Sequence, residues 1–111
     1  MKYKLTVKEQ LHCSHKIVGH FDECHSLHGH SYNVVAVMES NCLDSMNMVA
    51  DAKKIKTTLR QFDHVDLNMA LETDHPSVEL FAKIILNALA PFNCVKVTVA
   101  ETRDIEVEVT K

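Results

Sequence analysis

Along residues 3–15 polar and apolar side chains alternate with the period of an extended strand. Tyr3, Leu5, Val7, Leu11, Cys13 and His15 fall on one face, and Lys2, Lys4, Thr6, Lys8, Gln10 and His12 on the other. Only Glu9 breaks the alternation. A second strand is predicted from His28 to Glu39, with His28, His30, Tyr32, Val34, Ala36 and Met38 on one side. From Met48 to Phe62 the apolar spacing becomes helical (Met48, Ala52, Ile55, Leu59, Phe62), and Lys53, Lys54, Lys56 and Arg60 take the solvated side. Pro76 suits the first turn of a second helix whose buried stripe is Val78, Phe81, Ala82, Ile85 and Leu89, ended by Pro91. Val95, Val97 and Val99 then alternate in a third strand and Ile105, Val107 and Val109 in a fourth, joined tightly through Thr102, Arg103 and Asp104. The order ββααββ predicts an α+β domain, an antiparallel sheet with two helices on one face.

Length and charge narrow this picture. The 111 residues fit a single domain spanning 1–111, and a chain of this size buries only about 60–70% of its unfolded surface, so a metal or self-association would add stability. A net charge of -3 with scattered lysines argues against a nucleic-acid-binding face. No apolar run approaches the ~20 residues that span a bilayer, and MKYKLTVKEQ alternates where a signal peptide would be continuously apolar. The expectation is a cytoplasmic protein with no membrane partner. Cys13, Cys24, Cys42 and Cys94 form no CxxC pair and read as thiols.

The chemistry concentrates in CHSLHGH, residues 24–30. If the first two strands form a hairpin, the end of one lies beside the start of the other, and His15 approaches His28 and His30. Three imidazoles on rigid strand positions, with a fourth position open, match catalytic zinc. Cys24 is either a fourth ligand, closing a structural site, or a thiolate base beside the metal. Asp63-His64, after the first helix, is either a proton shuttle or a solvated helix end. Glu101 extends the Val95, Val97, Val99 face, and a carboxylate there needs either a bound NH-rich heterocycle or a salt bridge to a lysine or arginine at the strand end.

LHCSHKI with His15, CHSLHGHSY with Cys24, His28 and His30, then MVADAKKIK, FDHVDLN, HPSVE, and VAET with Glu101 follow one another along nearly the whole chain. In this order they resemble the 6-pyruvoyl-tetrahydropterin synthase and 6-carboxytetrahydropterin synthase family. The resemblance implies a tunnelling fold, in which three ββααββ subunits close a barrel and two trimers stack into a homohexamer with active sites at subunit interfaces. It implies His15, His28 and His30 as Zn2+ ligands, Cys24 as catalytic base, Asp63 and His64 as its proton-transfer partners, and Glu101 as the pterin anchor. The implied reaction is a zinc-dependent lyase step on 7,8-dihydroneopterin triphosphate. It would give 6-carboxy-5,6,7,8-tetrahydropterin, acetaldehyde and triphosphate for queuosine or related deazapurines; the alternative product is 6-pyruvoyl-tetrahydropterin. A reading of another class is a non-catalytic, zinc-stabilised pterin-binding domain. Leu11, Cys13 and Ala52 depart from the family pattern and bear on pocket shape.

Overall fold

The computed structural model describes residues 1–17 and 28–111. Strands β1 (Tyr3–His15) and β2 (His28–Ser40) form one long antiparallel ladder, from Tyr3 opposite Ser40 to His15 opposite His28. Helix α1 (Ala52–Arg60), the two-residue strand β3 (Val65–Asp66), the single turn α2 (Leu67–Ala70) and helix α3 (Val78–Ala88) follow. A 3-10 turn at Ala90–Phe92 carries Pro91 and leads into β4 (Cys94–Thr102) and β5 (Ile105–Thr110). The sheet order is β3-β1-β2-β4-β5. The β3 strand runs parallel to β1 and makes the sheet mixed; the other neighbours are antiparallel. The α+β architecture is as expected, with a fifth short strand and a third short helix from FDHVDLN, a segment too brief to show a period of its own.

The hairpin alternation survives intact. Val7, Leu11, Cys13, Tyr32, Val34, Ala36 and Met38 are buried, against Ile55 and Leu59 of α1 and Phe81, Ala82 and Ile85 of α3. Three details differ from expectation. Helix α1 starts at Ala52 because Asp44 takes the amides of Met46 and Met48 and Asp51 caps Lys53, holding the preceding residues in turns. Pro76 lies outside α3, one residue before its cap, where Ser77 accepts from Leu80 N. On β4 the ladder to β2 slips between Val37 and Met38, whose partners are Lys96 and Cys94. Val95 is therefore the extra residue of a bulge, and Cys94 rather than Val95 is buried beside Val97 and Val99. Among the described residues no helix is long and apolar enough to cross a membrane.

Candidate metal centre and its neighbours

His15 and His30 meet because the ladder that sets His15 opposite His28 sets His30 opposite Cys13, one diagonal step away on the same face. Their rings pack edge to face with centroids 5.2 Å apart. His15 is 1% exposed, and its Nδ1 lies 3.1 Å from the Pro76 carbonyl and 3.1 Å from the Tyr32 hydroxyl. A carbonyl can only accept, so Nδ1 carries a ring proton, and in the neutral ring Nε2 is the nitrogen left for a metal. That tautomer follows from Pro76 lying outside the helix, where its carbonyl is available. Tyr32, fully buried against Phe81, holds the far side of the imidazole.

Glu101 completes this group. The β4–β5 ladder passes from Ala100 opposite Glu106 to Thr102 opposite Ile105, so Glu101 is the residue bulged out between them. A bulge re-aims a side chain, and here the carboxylate reaches across β2 to the histidines. Its Oε1 is 3.1 Å from His30 Nε2 and 3.4 Å from His15 Nε2. The partners are therefore imidazoles rather than a lysine or arginine at the strand end. One ligand atom from each of His15, His30 and Glu101 lies within 4.8 Å of the others. Tetrahedral ligation with bonds of 2.0–2.1 Å sets donors about 3.3 Å apart, and the observed separations lie on either side of that. These three residues thus fit a divalent metal. The backbone of His28 opens β2 opposite His15, but its side chain, like Cys24, lies outside the described residues.

A second cluster sits on the opposite face of the hairpin. His12 and Ser31 alternate with Cys13 and His30 along their strands, and His12 Nδ1 lies 2.9 Å from Ser31 Oγ. The short parallel pairing of β3 brings the preceding Asp63 and His64 beside them. The amide of His12 donates to Asp63 Oδ1 at 2.8 Å, and the amide of His64 donates to the His12 carbonyl at 2.7 Å. His64 Nε2 is 3.6 Å from Asp63 Oδ2, and the His64 ring is 5.5 Å from that of His12. The His12 amide, above all, holds the Asp63 carboxyl below its usual pKa; burial opposes this, and the neighbouring His64 and His12 rings and the His64 amide add to the lowering. Asp63 is thereby an ionised, fixed acceptor at neutral pH. His64 itself is mostly exposed.

An open cavity of about 510 Å³ is lined by His12, Ser14, Gly29, His30, Ser31 and His64, among others. His30 borders it as well as the metal group, so the cavity adjoins both clusters at the end of the hairpin. Cys13 also borders it, but burial, helped by Asp63, pushes its thiol up to about 12, and Sγ donates to the Phe62 carbonyl. Cys13 is thus a packing thiol. Cys94, buried and raised by desolvation, is another, and Cys42 is exposed; all three are free. Sequence reasoning left His12 without a role and set Glu101 apart from the metal ligands. The signal for Glu101 was its bulge, which depends on strand partners; for His12 it was FDHVDLN, whose contact with β1 no local pattern reveals.

The family described as 6-pyruvoyl tetrahydropterin synthase matches residues 4–111. Among curated relatives, the 6-carboxy-5,6,7,8-tetrahydropterin synthase of Rickettsia typhi is 31% identical over 80 residues, covering 68% of this chain and 56% of that protein. The enzyme of the same name from Rickettsia felis is 33% identical over 66 residues, 55% of this chain and 48% of its own. The chain thus spans about half the length of the relatives it matches. In three dimensions it is similar to Caenorhabditis elegans 6-pyruvoyl tetrahydropterin synthase, with a TM-score of 0.84 at 18% identity over 100% of this chain and 96% of that one. The Plasmodium vivax 6-pyruvoyltetrahydropterin synthase superposes with a TM-score of 0.71 at 20% identity, covering 100% and 98%. These likenesses establish the tunnelling fold. With the family match running almost from end to end, the chain belongs to the 6-pyruvoyl tetrahydropterin synthase family.

Proposed function

We propose that this chain is a zinc-dependent lyase that converts 7,8-dihydroneopterin triphosphate and water to 6-carboxy-5,6,7,8-tetrahydropterin, acetaldehyde and triphosphate. The observation that carries the reading is the convergence of His15, His30 and Glu101 at ligand spacing beside an open cavity, with His28 placed in sequence to join them. Two imidazoles and a carboxylate are a donor set that suits zinc. When bound, zinc supplies Lewis-acid polarisation of the substrate's side-chain hydroxyls. The protein groups do the rest. Cys24 removes the proton from the adjacent carbon as a thiolate. His64 moves a proton on the side chain, with Asp63 stabilising its charged form. Glu101 accepts from the N–H groups of the pterin through the carboxylate oxygen not directed at the histidines.

The two clusters lie on opposite faces of one hairpin, and this supports a site completed by a neighbouring copy, whose Asp63 and His64 reach the metal group of the first. Strand β5 and most of β1 present edges to that neighbour, and closing three sheets into a barrel removes them. The assembly proposed is a homohexamer built of two trimers, working in the cytoplasm on the route to queuosine or related deazapurines. Incubation of the zinc-loaded protein with 7,8-dihydroneopterin triphosphate and identification of products by mass tests the reaction. A 6-pyruvoyl product would assign the alternative branch.

One observation favours a second reading. With Glu101 directed at the metal group, His15, His28, His30 and Glu101 could close a tetrahedral site, as in a non-catalytic zinc-stabilised pterin-binding domain. Turnover separates the two: conversion by the zinc-loaded wild type, lost in Cys24→Ala with zinc retained, is expected of the enzyme, and a folded, zinc-loaded wild type with no turnover would establish the binding domain.

A further inference from the structure

We propose that His12 is a positioning residue for His64, its ring serving as the platform that fixes the orientation of the His64 imidazole at the cavity. His64 adopts a left-handed backbone conformation, φ 56°, which costs free energy for any residue with a Cβ. On β1, His12 holds that conformation directly, its carbonyl binding the His64 amide and its amide binding Asp63, while Cys13 anchors the flanking Phe62 and Val65. Those bonds fix where the His64 side chain leaves the backbone but not how its ring turns. For a side chain 78% exposed, the ring needs a wall. Asp63 approaches its Nε2 at 3.6 Å, beyond a good hydrogen bond, and the His12 ring faces it at 5.5 Å with a 34° tilt. The His12 ring is itself fixed, because Ser31 Oγ holds its Nδ1 at 2.9 Å. The order of dependence runs from Ser31 to His12 to His64. A misplaced proton-transfer group loses rate while leaving substrate affinity largely intact.

The rate half of this inference rests on the proposed role of His64; the geometric half does not. The test uses the full chain with carbon-13-labelled histidine, comparing His12→Ala, which removes the ring, with His12→Phe, which keeps a ring without nitrogens. In the wild type, nuclear Overhauser contacts should join the rings of residues 12 and 64. In His12→Ala the His64 ring signals should move toward those of a free imidazole, and kcat on 7,8-dihydroneopterin triphosphate should fall about tenfold with KM within about twofold. His12→Phe should restore the ring contact and most of kcat. Unchanged His64 ring signals in His12→Ala overturn the proposal, as does a His12→Phe variant that keeps the ring contact yet is as slow as His12→Ala, since the nitrogens would then be acting themselves. If His64→Ala turns over normally, the proton-transfer reading of His64 fails instead, and the ring signals alone still decide whether His12 positions it.

Discussion

The two histidine clusters are built by different means. His15 and His30 are side chains on the core face of a long ladder, and every group that orients them is buried or half-buried: Tyr32, the Pro76 carbonyl, the bulged Glu101. Asp63 and His64 lie at the sheet margin, fixed by main-chain bonds to His12, with the His64 ring in solvent. The first arrangement has the rigidity a metal site needs, because ligands must be held before the ion arrives. The second leaves its acting group accessible, which suits a residue that meets substrate or another subunit. Packing thus holds the candidate metal ligands, and backbone geometry presents the exposed imidazole of His64.

Removing a ligand should break this contrast most severely. His30→Ala is expected to lower zinc affinity at least a hundredfold, whereas His64→Ala should leave it within about twofold; competition with a chelating dye measures both. Equal zinc affinity in the two variants would abolish the division. Glu101→Gln comes next. Replacing an acceptor oxygen by a donor facing pterin N–H groups should cost about 2–4 kcal/mol, roughly thirty- to a thousandfold in pterin affinity by calorimetry. Because Glu101 lies against both histidines, zinc should also bind about tenfold more weakly. Unchanged zinc would confine Glu101 to the pterin.

Asp63 offers a smaller and pH-dependent effect. Its carboxyl is held below its usual value in the fold, mainly by the His12 amide, so the folded state favours the ionised form. That stabilisation is complete above the ordinary carboxylate range, near pH 4, and is lost as pH falls through the lowered folded value. Asp63→Asn should flatten this acid limb in urea midpoints measured from pH 6 down to about pH 3. The smallest effect is expected at Cys13. With its thiol raised to about 12, Cys13→Ser should change neither turnover nor the rate of labelling by a disulfide reagent at neutral pH, while exposed Cys42 is labelled.

The sequence made these two clusters unequally legible. Period-2 alternation exposes a half-buried hairpin directly, so β1, β2, the buried Tyr32 and the approach of His15 to His30 could all be read from residue order. The HxH spacing did the rest. Bulges depend on the partner strand and leave no period, which is why Val95 was assigned to the core face that Cys94 takes and Glu101 was separated from the histidines it touches. Helix boundaries were set by side chains competing for backbone amides, Asp44 and Asp51 before α1 and Ser77 before α3, and apolar spacing alone placed α1 too early. His12 carried no signal, since its contact arises from a two-residue parallel pairing over fifty positions away in sequence.

The Pro76 carbonyl has one more consequence. Because a main-chain oxygen selects the His15 tautomer, no side-chain substitution at position 76 deletes the acceptor; the metal-facing nitrogen is protected against ordinary sequence drift. What such drift can change is the bend of the chain into α3, which the fixed φ of proline holds. The lineage-level expectation is that position 76 tolerates chemical variety but not backbone freedom, so Pro76→Gly should impair metal retention where Pro76→Ala does so less. The coordination chemistry is in this respect inherited through the path of the chain rather than through a residue's functional group.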